Sequence, residues 1–131
     1  MKIEVSNGEI IDKYTILEIK LSEIKDTKKL ANIQHEHDVL TPVVNSIYKE
    51  STNKDHLKKL HHNLLEVNKK LWKIEDDIRE CERAKDFGDT FIKLARAVYY
   101  TNDDRSDVKK EINKFTGSDL VEEKSYEDYK A

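Results

Sequence analysis

Leu57 to Cys81 reads LKKLHHNLLEVNKKLWKIEDDIREC, and eight of its apolar residues fall at alternating steps of three and four: Leu57, Leu60, Leu64, Val67, Leu71, Ile74, Ile78 and Cys81. Such steps place all eight on one stripe of an α-helix, whereas a strand would alternate every second residue. Held for more than three heptads, the stripe predicts a straight helix of about 30 residues, roughly 45 Å long, that must bury one face against other helices. A second line, Leu65 and Trp72, lies one residue beyond Leu64 and Leu71. The buried face is therefore wider than a two-stranded coiled-coil seam and suits a bundle of three or four helices.

Upstream, Ser6 and Glu9 have capping-box spacing, and Val5 and Ile10 stand at the flanking positions of a hydrophobic staple. They predict a helix from about Asn7 that carries Ile10, Tyr14, Leu17, Leu21 and Ile24 on one stripe, with a short extended piece over residues 1–5. The rival reading, a hairpin turn at Asn7-Gly8, yields to the helical rhythm that begins at once. A six-residue step from Ile24 to Leu30 breaks the phase and puts Asp26 or Thr27 at the cap of a second helix carrying Leu30, Ile33, Leu40, Val44 and Ile47, with His37 in an apolar slot. Pro42 either kinks this helix or opens a new one capped by Thr41. Glu50 to Lys54 is a polar loop into the long helix.

Downstream, Phe87-Gly88-Asp89 ends the long helix and supplies a cap for a fourth, marked by Phe91, Leu94, Val98, Val108, Ile112 and Phe115. Polar residues fill the intervening slots, Thr101 and Arg105, so this helix either continues to Gly117 or breaks near Asn102-Asp103. Residues 119–131 form either a docked strap or a flexible tail. The expected fold is all-α: one domain over residues 1–131, an up-and-down antiparallel bundle of about four helices with one long central helix.

Composition narrows the function classes. With 39% charged residues but only three Gly and one Pro, the chain favours long helices and short connections. Its net charge of -3 arises from 24 basic and 27 acidic residues closely mixed, so no field of one sign exists to grip nucleic acid or an anionic membrane. No apolar run approaches the roughly 20 residues of a membrane span, and Met1 leads into a mixed segment, so a cytoplasmic protein is expected. Cys81, the lone cysteine, sits on the seam as a small hydrophobe.

The richest polar stretch is Glu75, Asp76, Asp77, Arg79, Glu80 and Glu82, which antiparallel packing would turn toward Arg96, Tyr99, Asn102, Asp103 and Arg105. Carboxylates beside arginines on bundle helices build polar or metal-dependent sites. On that view Arg79, Arg96, Tyr99, Asn102 and Arg105 bind a phosphorylated ligand, and Asp76, Asp77 and Glu80 hold magnesium. The plainer reading is a salt-bridged surface with one polar layer fixing register. Arg105 occupies a slot meant for a hydrophobe, so it must pair with a carboxylate, Asp77 or Glu80 being the expected neighbour, or reach solvent. If the layer is only structural, Arg105→Met should be tolerated.

All-α nucleotide pyrophosphohydrolases hold magnesium with paired carboxylates at Glu-x-x-Glu and Glu-x-x-Asp. Glu23 with Asp26 and Asp77 with Glu80 share the internal spacing, but in the wrong order and far apart. No Glu-x-x-His occurs, which excludes a ferritin-like di-iron site, and none of His35, His37, His56, His61 and His62 stand four apart as helical zinc ligands do. His61 and His62 are expected on the bundle's flank.

Three blocks, IEVSNGEIIDKYTILEIKL (Ile3 to Leu21), LWKIEDDIRECERAKDFGDTFIKLARAVYYTNDDRSDVKKEINKFTGS (Leu71 to Ser118) and VEEKSY (Val121 to Tyr126), resemble a family of small, uncharacterised helical proteins of bacteria and their phages. The resemblance covers most of the chain except Asp38 to Asn63, and it implies no established activity. The leading expectation is a helical interaction or scaffold module without a cofactor, not an enzyme, that associates with itself or with a protein partner. The first helix is too short and the second too interrupted to cover the whole long seam. The alternative is a small magnesium-dependent enzyme or binding protein for a phosphorylated metabolite, such as a nucleotide or sugar nucleotide.

Overall fold

A computed structural model describes residues 1–129. Its elements are α1 (Asn7–Glu23), α2 (Thr27–Glu50), α3 (Lys54–Arg83) and α4 (Asp89–Thr116), packed as an all-α bundle in up-and-down order, with no strand among the described residues. Local chemistry sets the starts. The side chains of Ser6, Asp26 and Asn53 accept from the main-chain N–H of Glu9, Lys29 and His56 at 3.2, 3.1 and 3.1 Å, satisfying donors that a helix leaves unpaired in its first turn. α1 thus begins at Asn7 as the capping-box spacing predicts, preceded by residues 1–5, which are exposed and lie outside any helix or strand.

Two alternatives resolve toward continuity. α2 runs unbroken through Pro42, and Thr41 is no cap: its hydroxyl donates to the His37 carbonyl at 2.8 Å, one turn back. α4 likewise passes through Asn102-Asp103 without a break. The end of α3 differs from expectation. It stops at Arg83, ahead of Phe87-Gly88-Asp89, with Lys85 in the left-handed region at φ 56° and the N–H groups of Lys85 and Asp86 bonded to the carbonyls of Glu82 and Cys81. A glycine usually fills that position, and its absence hid the stop from the sequence.

The longest helix, α3, packs against all three others, most extensively against α4. α1 likewise packs against all three others, and α2 reaches the bundle mostly through α1. The core joins Ile11 of α1 to Val44 and Ile47 of α2, Leu57, Leu60 and Leu64 of α3, and Ile112 of α4. α1 and α3 start from the same end: Gly8 N–H donates to Asn113 Oδ1 at 2.7 Å near the end of α4, where Phe115 packs edge-on against His56 near the start of α3. With 17 residues α1 spans about 26 Å against about 45 Å for the 30 residues of α3. Ile16 and Ile19 of α1 stand beside Leu71 and Trp72 of α3.

The last turns of α3 and the first turns of α4 pack on each other as an arm at one end of the bundle. Burial along the seam falls toward it: Leu57, Leu60 and Leu64 are fully buried, Ile74 nearly so, and Val67, Leu71, Ile78 and Cys81 only half-buried. At the tip Phe87 and Ile92 are 49% and 53% exposed. The tail is a docked strap as far as it is described, with residues 130–131 outside the described residues: Glu122, Glu123 and Lys124 pair with Lys109, Lys110 and Asp103 of α4.

Candidate functional site

A polar layer crosses the centre of the bundle. Asp12 of α1 is 1% exposed, and Arg105 of α4 forks onto it, Nε to Oδ1 at 2.9 Å and Nη2 to Oδ2 at 2.5 Å. Asn68 of α3 donates from Nδ2 to Asp12 Oδ1 at 2.9 Å and to Thr15 Oγ1 at 2.8 Å, and Thr15 Oγ1 donates to the Asp12 carbonyl at 2.7 Å. Three helices are tied at one level by charge-assisted and neutral bonds in a fixed register. The bond to Asp12 raises the Arg105 pKa, against the desolvation that lowers it.

One turn further, Lys109 bridges Glu9 at 2.7 Å and Glu122 at 3.2 Å. Desolvation pulls its pKa down, but the bond to Glu9 and the nearby Asp12 and Glu122 carry it above the ordinary value.

Arg105 therefore pairs with a carboxylate, but the partner is Asp12, not Asp77 or Glu80. The two residues stand 93 apart in the chain, and no spacing rule connects them. Asp77 instead pairs with Lys73 at 3.1 Å, while Glu80 pairs with Arg83 and Arg79 with Glu75, each along α3's own surface. Asp76, Asp77 and Glu80 are not drawn together, and among the described residues no group of three or more His, Cys, Asp or Glu side chains is arranged to hold a metal ion.

The structure does gather part of the sequence-derived set. Arg79, Asn102, Arg105 and Asp76 line a groove of about 570 Å³ beside α1, with Ile16, Ile19, Leu71 and Trp72 as its apolar wall. Tyr99, Asn102 and Arg105 also border a larger hollow of about 1010 Å³ between α4 and the strap. Arg96 lies in neither, its guanidinium 5.9 Å from the centre of the Tyr100 ring. Both arginines of the groove are already neutralised by carboxylates, so an incoming anion meets little free positive charge.

A second polar cluster fastens α2. His61 sits between Tyr48 Oη at 2.9 Å and Glu18 Oε1 at 3.1 Å, and Tyr14 stacks on His37 at 4.5 Å while its hydroxyl meets Thr41 at 3.0 Å. Burial first, then the Glu18 charge, raises the Tyr48 pKa. His61 thus works inside the bundle, not on its flank, whereas His62 is exposed as expected.

Sequence reasoning missed Asp12, Thr15 and Asn68. The signal was faint: Gly8, Ile11, Thr15 and Ile19 form a second stripe on α1, beside the one chosen, and all four are buried. No helix of the described residues is long and apolar enough to cross a membrane. No curated protein and no solved structure matches this chain. The uncharacterised family suggested by the three sequence blocks is real: residues 1–130 match DUF6165, a family of unknown function, and the chain belongs to it.

Proposed function

We propose that this protein is a self-associating helical scaffold of the cytoplasm, in which the α3–α4 arm packs against the arm of a second copy. The observation that carries the reading is the half-burial of Leu71, Ile78 and Cys81 on the heptad seam, next to Phe87 and Ile92 that stand exposed around the turn between α3 and α4. Two such arms side by side make a four-helix bundle, the arrangement in which a two-helix apolar face is ordinarily covered. Charge favours a like partner. From Leu71 to Val98 the arm carries seven acidic and six basic residues, many of them paired along their own helix, so it presents no field that would call for an oppositely charged protein.

Sedimentation through the micromolar range tests the reading. The wild-type chain should self-associate, and Phe87→Glu with Ile92→Glu should shift it to monomer while leaving its helical content unchanged. A compact wild-type monomer at every concentration would end the proposal.

A second reading rests on the groove beside α1, which brings Arg79, Asn102 and Arg105 beside Trp72. Its volume suits a small phosphorylated metabolite, with the indole as an apolar wall. Thermal stabilisation by nucleotides and sugar nucleotides, with and without magnesium, distinguishes the two, since a ligand held only by the folded state raises its stability.

A further inference from the structure

The groove between α1, α3 and α4 holds one charge that no neighbour cancels. Of its charged lining residues, Arg79 pairs with Glu75 and Arg105 with Asp12 behind it, whereas the Asp76 side chain has neither ion pair nor hydrogen bond among the described residues. An exposed carboxylate on a helix is ordinarily just solvated, so Asp76 alone makes no site.

The floor supplies a second observation. Asn68, only 4% exposed, lines the groove, and both of its amide hydrogens are spent inward, on Asp12 Oδ1 and Thr15 Oγ1. The amide cannot be turned the other way round, since a carboxylate only accepts and the Thr15 hydroxyl already donates to the Asp12 carbonyl. Its Oδ1 is therefore an acceptor with no partner among the described residues. Nor is that oxygen sealed in: among the described residues the one fully buried side-chain atom without a partner is His37 Nδ1, so Asn68 Oδ1 opens to the groove it lines. An acceptor so placed calls for a donor.

We infer that the groove is a site for a small organic cation, an ammonium head carried on an apolar body. An ammonium brings three donors and no acceptor, so it matches the Asn68 oxygen at the floor and the Asp76 carboxylate at the rim, and the indole of Trp72 beside them favours a cation as well. Ile16, Ile19 and Leu71 receive the body, and a volume of about 570 Å³ is ample for it. A phosphate meets the opposite conditions. Both arginine charges are already neutralised, and its oxygens would face two acceptors. The inference is independent of self-association, and it reverses the sign of the ligand in the second reading above.

Trp72 is the chain's only tryptophan, so its fluorescence reads the groove directly. The full-length chain is titrated with near-isosteric probes of different charge, phenethylammonium, phenethyl alcohol and phenylacetate, and with ribose phosphate. Phenethylammonium should give a saturable change, with affinity about tenfold above that of the alcohol and of either anion. Asp76→Asn should weaken it about threefold to tenfold, the range of a partly exposed charge contact. Asp77→Asn removes the same charge from the face of α3 where Lys73 holds it, outside the groove, and should bind as wild type does. Neither carboxylate is buried, so helical content should stay unchanged in both variants. An alcohol that binds as well as the ammonium, equal affinities in wild type and Asp76→Asn, equal losses in the two variants, or no saturable change up to about 10 mM ammonium would each overturn the inference. Tighter binding of phenylacetate or ribose phosphate would overturn it too and favour the second reading, while self-association, read by sedimentation, stands or falls separately.

Discussion

Replacing Gly8 with alanine sets the helix propensity of α1 against its packing on α4. In an ordinary helix interior the change stabilises by about 0.5–1 kcal/mol, because alanine loses less backbone entropy on folding. At this position a Cβ would lie 2.5 Å from the Lys109 carbonyl oxygen, 3.1 Å from its carbon and 2.9 Å from Asn113 Oδ1. Two of those atoms are main chain in the middle of α4, so no rotamer change relieves the contact. α1 must move away from α4. That motion stretches the 2.7 Å bond from Gly8 N–H to Asn113, and it strains the Asp12–Arg105 pair one turn along.

Overpacking of a close interface costs about 1–3 kcal/mol, and a weakened buried hydrogen bond adds about 1 kcal/mol. Both exceed the propensity gain. Gly8→Ala should therefore lose about 1–3 kcal/mol in urea denaturation, with little change in the denaturant slope. Gly8→Ser, with a similar Cβ, should lose stability as well. An alanine variant as stable as wild type would refute the close approach of α1 to α4, and with it the register that aligns Asp12 with Arg105.

Arg105→Met leaves the Asp12 carboxylate buried without its cation and should cost about 3–5 kcal/mol, toward the low end because the Arg105 side chain is 29% exposed. This reverses the tolerance expected when Arg105 alone was in view, and combining it with Asp12→Asn should recover part of the loss; a single variant as stable as wild type in chemical denaturation would contradict the pairing. The pKa values of Tyr48 and Lys109 are raised above their ordinary 10.0 and 10.5, so the stability they contribute is complete below those values and fades as pH rises through the folded ones. The melting temperature should fall above about pH 10, less steeply in Tyr48→Phe, and an alkaline slope unchanged by that substitution would count against the buried phenol.

What was legible in the sequence was local. Ser6 and Asp26 cap their helices because a side-chain oxygen needs only to reach an N–H three residues on, and the three-four rhythm of α3 follows from its having one wet face and one dry one. α1 has a wider dry face and a narrower wet one, marked by the exposed Lys13. Packed on three sides, it buries Gly8, Ile11, Asp12, Thr15 and Ile19, while of the stripe chosen from the sequence Leu17 is buried and Ile10, Tyr14, Leu21 and Ile24 are half-buried. A helix packed on three sides blurs its own periodicity, so the start of α1 was legible but the second stripe it buries was not. The polar layer was hidden for the same reason, since Asp12 finds Arg105 only through the topology.

The arm presents the converse case. The apolar rhythm holds through Ile74, Ile78 and Cys81 and resumes at Phe91, Leu94 and Val98, yet most of these residues are only half-buried within one chain. A helix needs no heptad rhythm to remain a helix in water, only to place apolar side chains against another surface. A pattern kept on residues this open is what the proposed second copy would use. The same reasoning makes Ile78→Glu the sharpest single substitution: in an isolated arm it costs little beyond one half-buried side chain, whereas in a paired one it should abolish association while the α1-centred core stays folded.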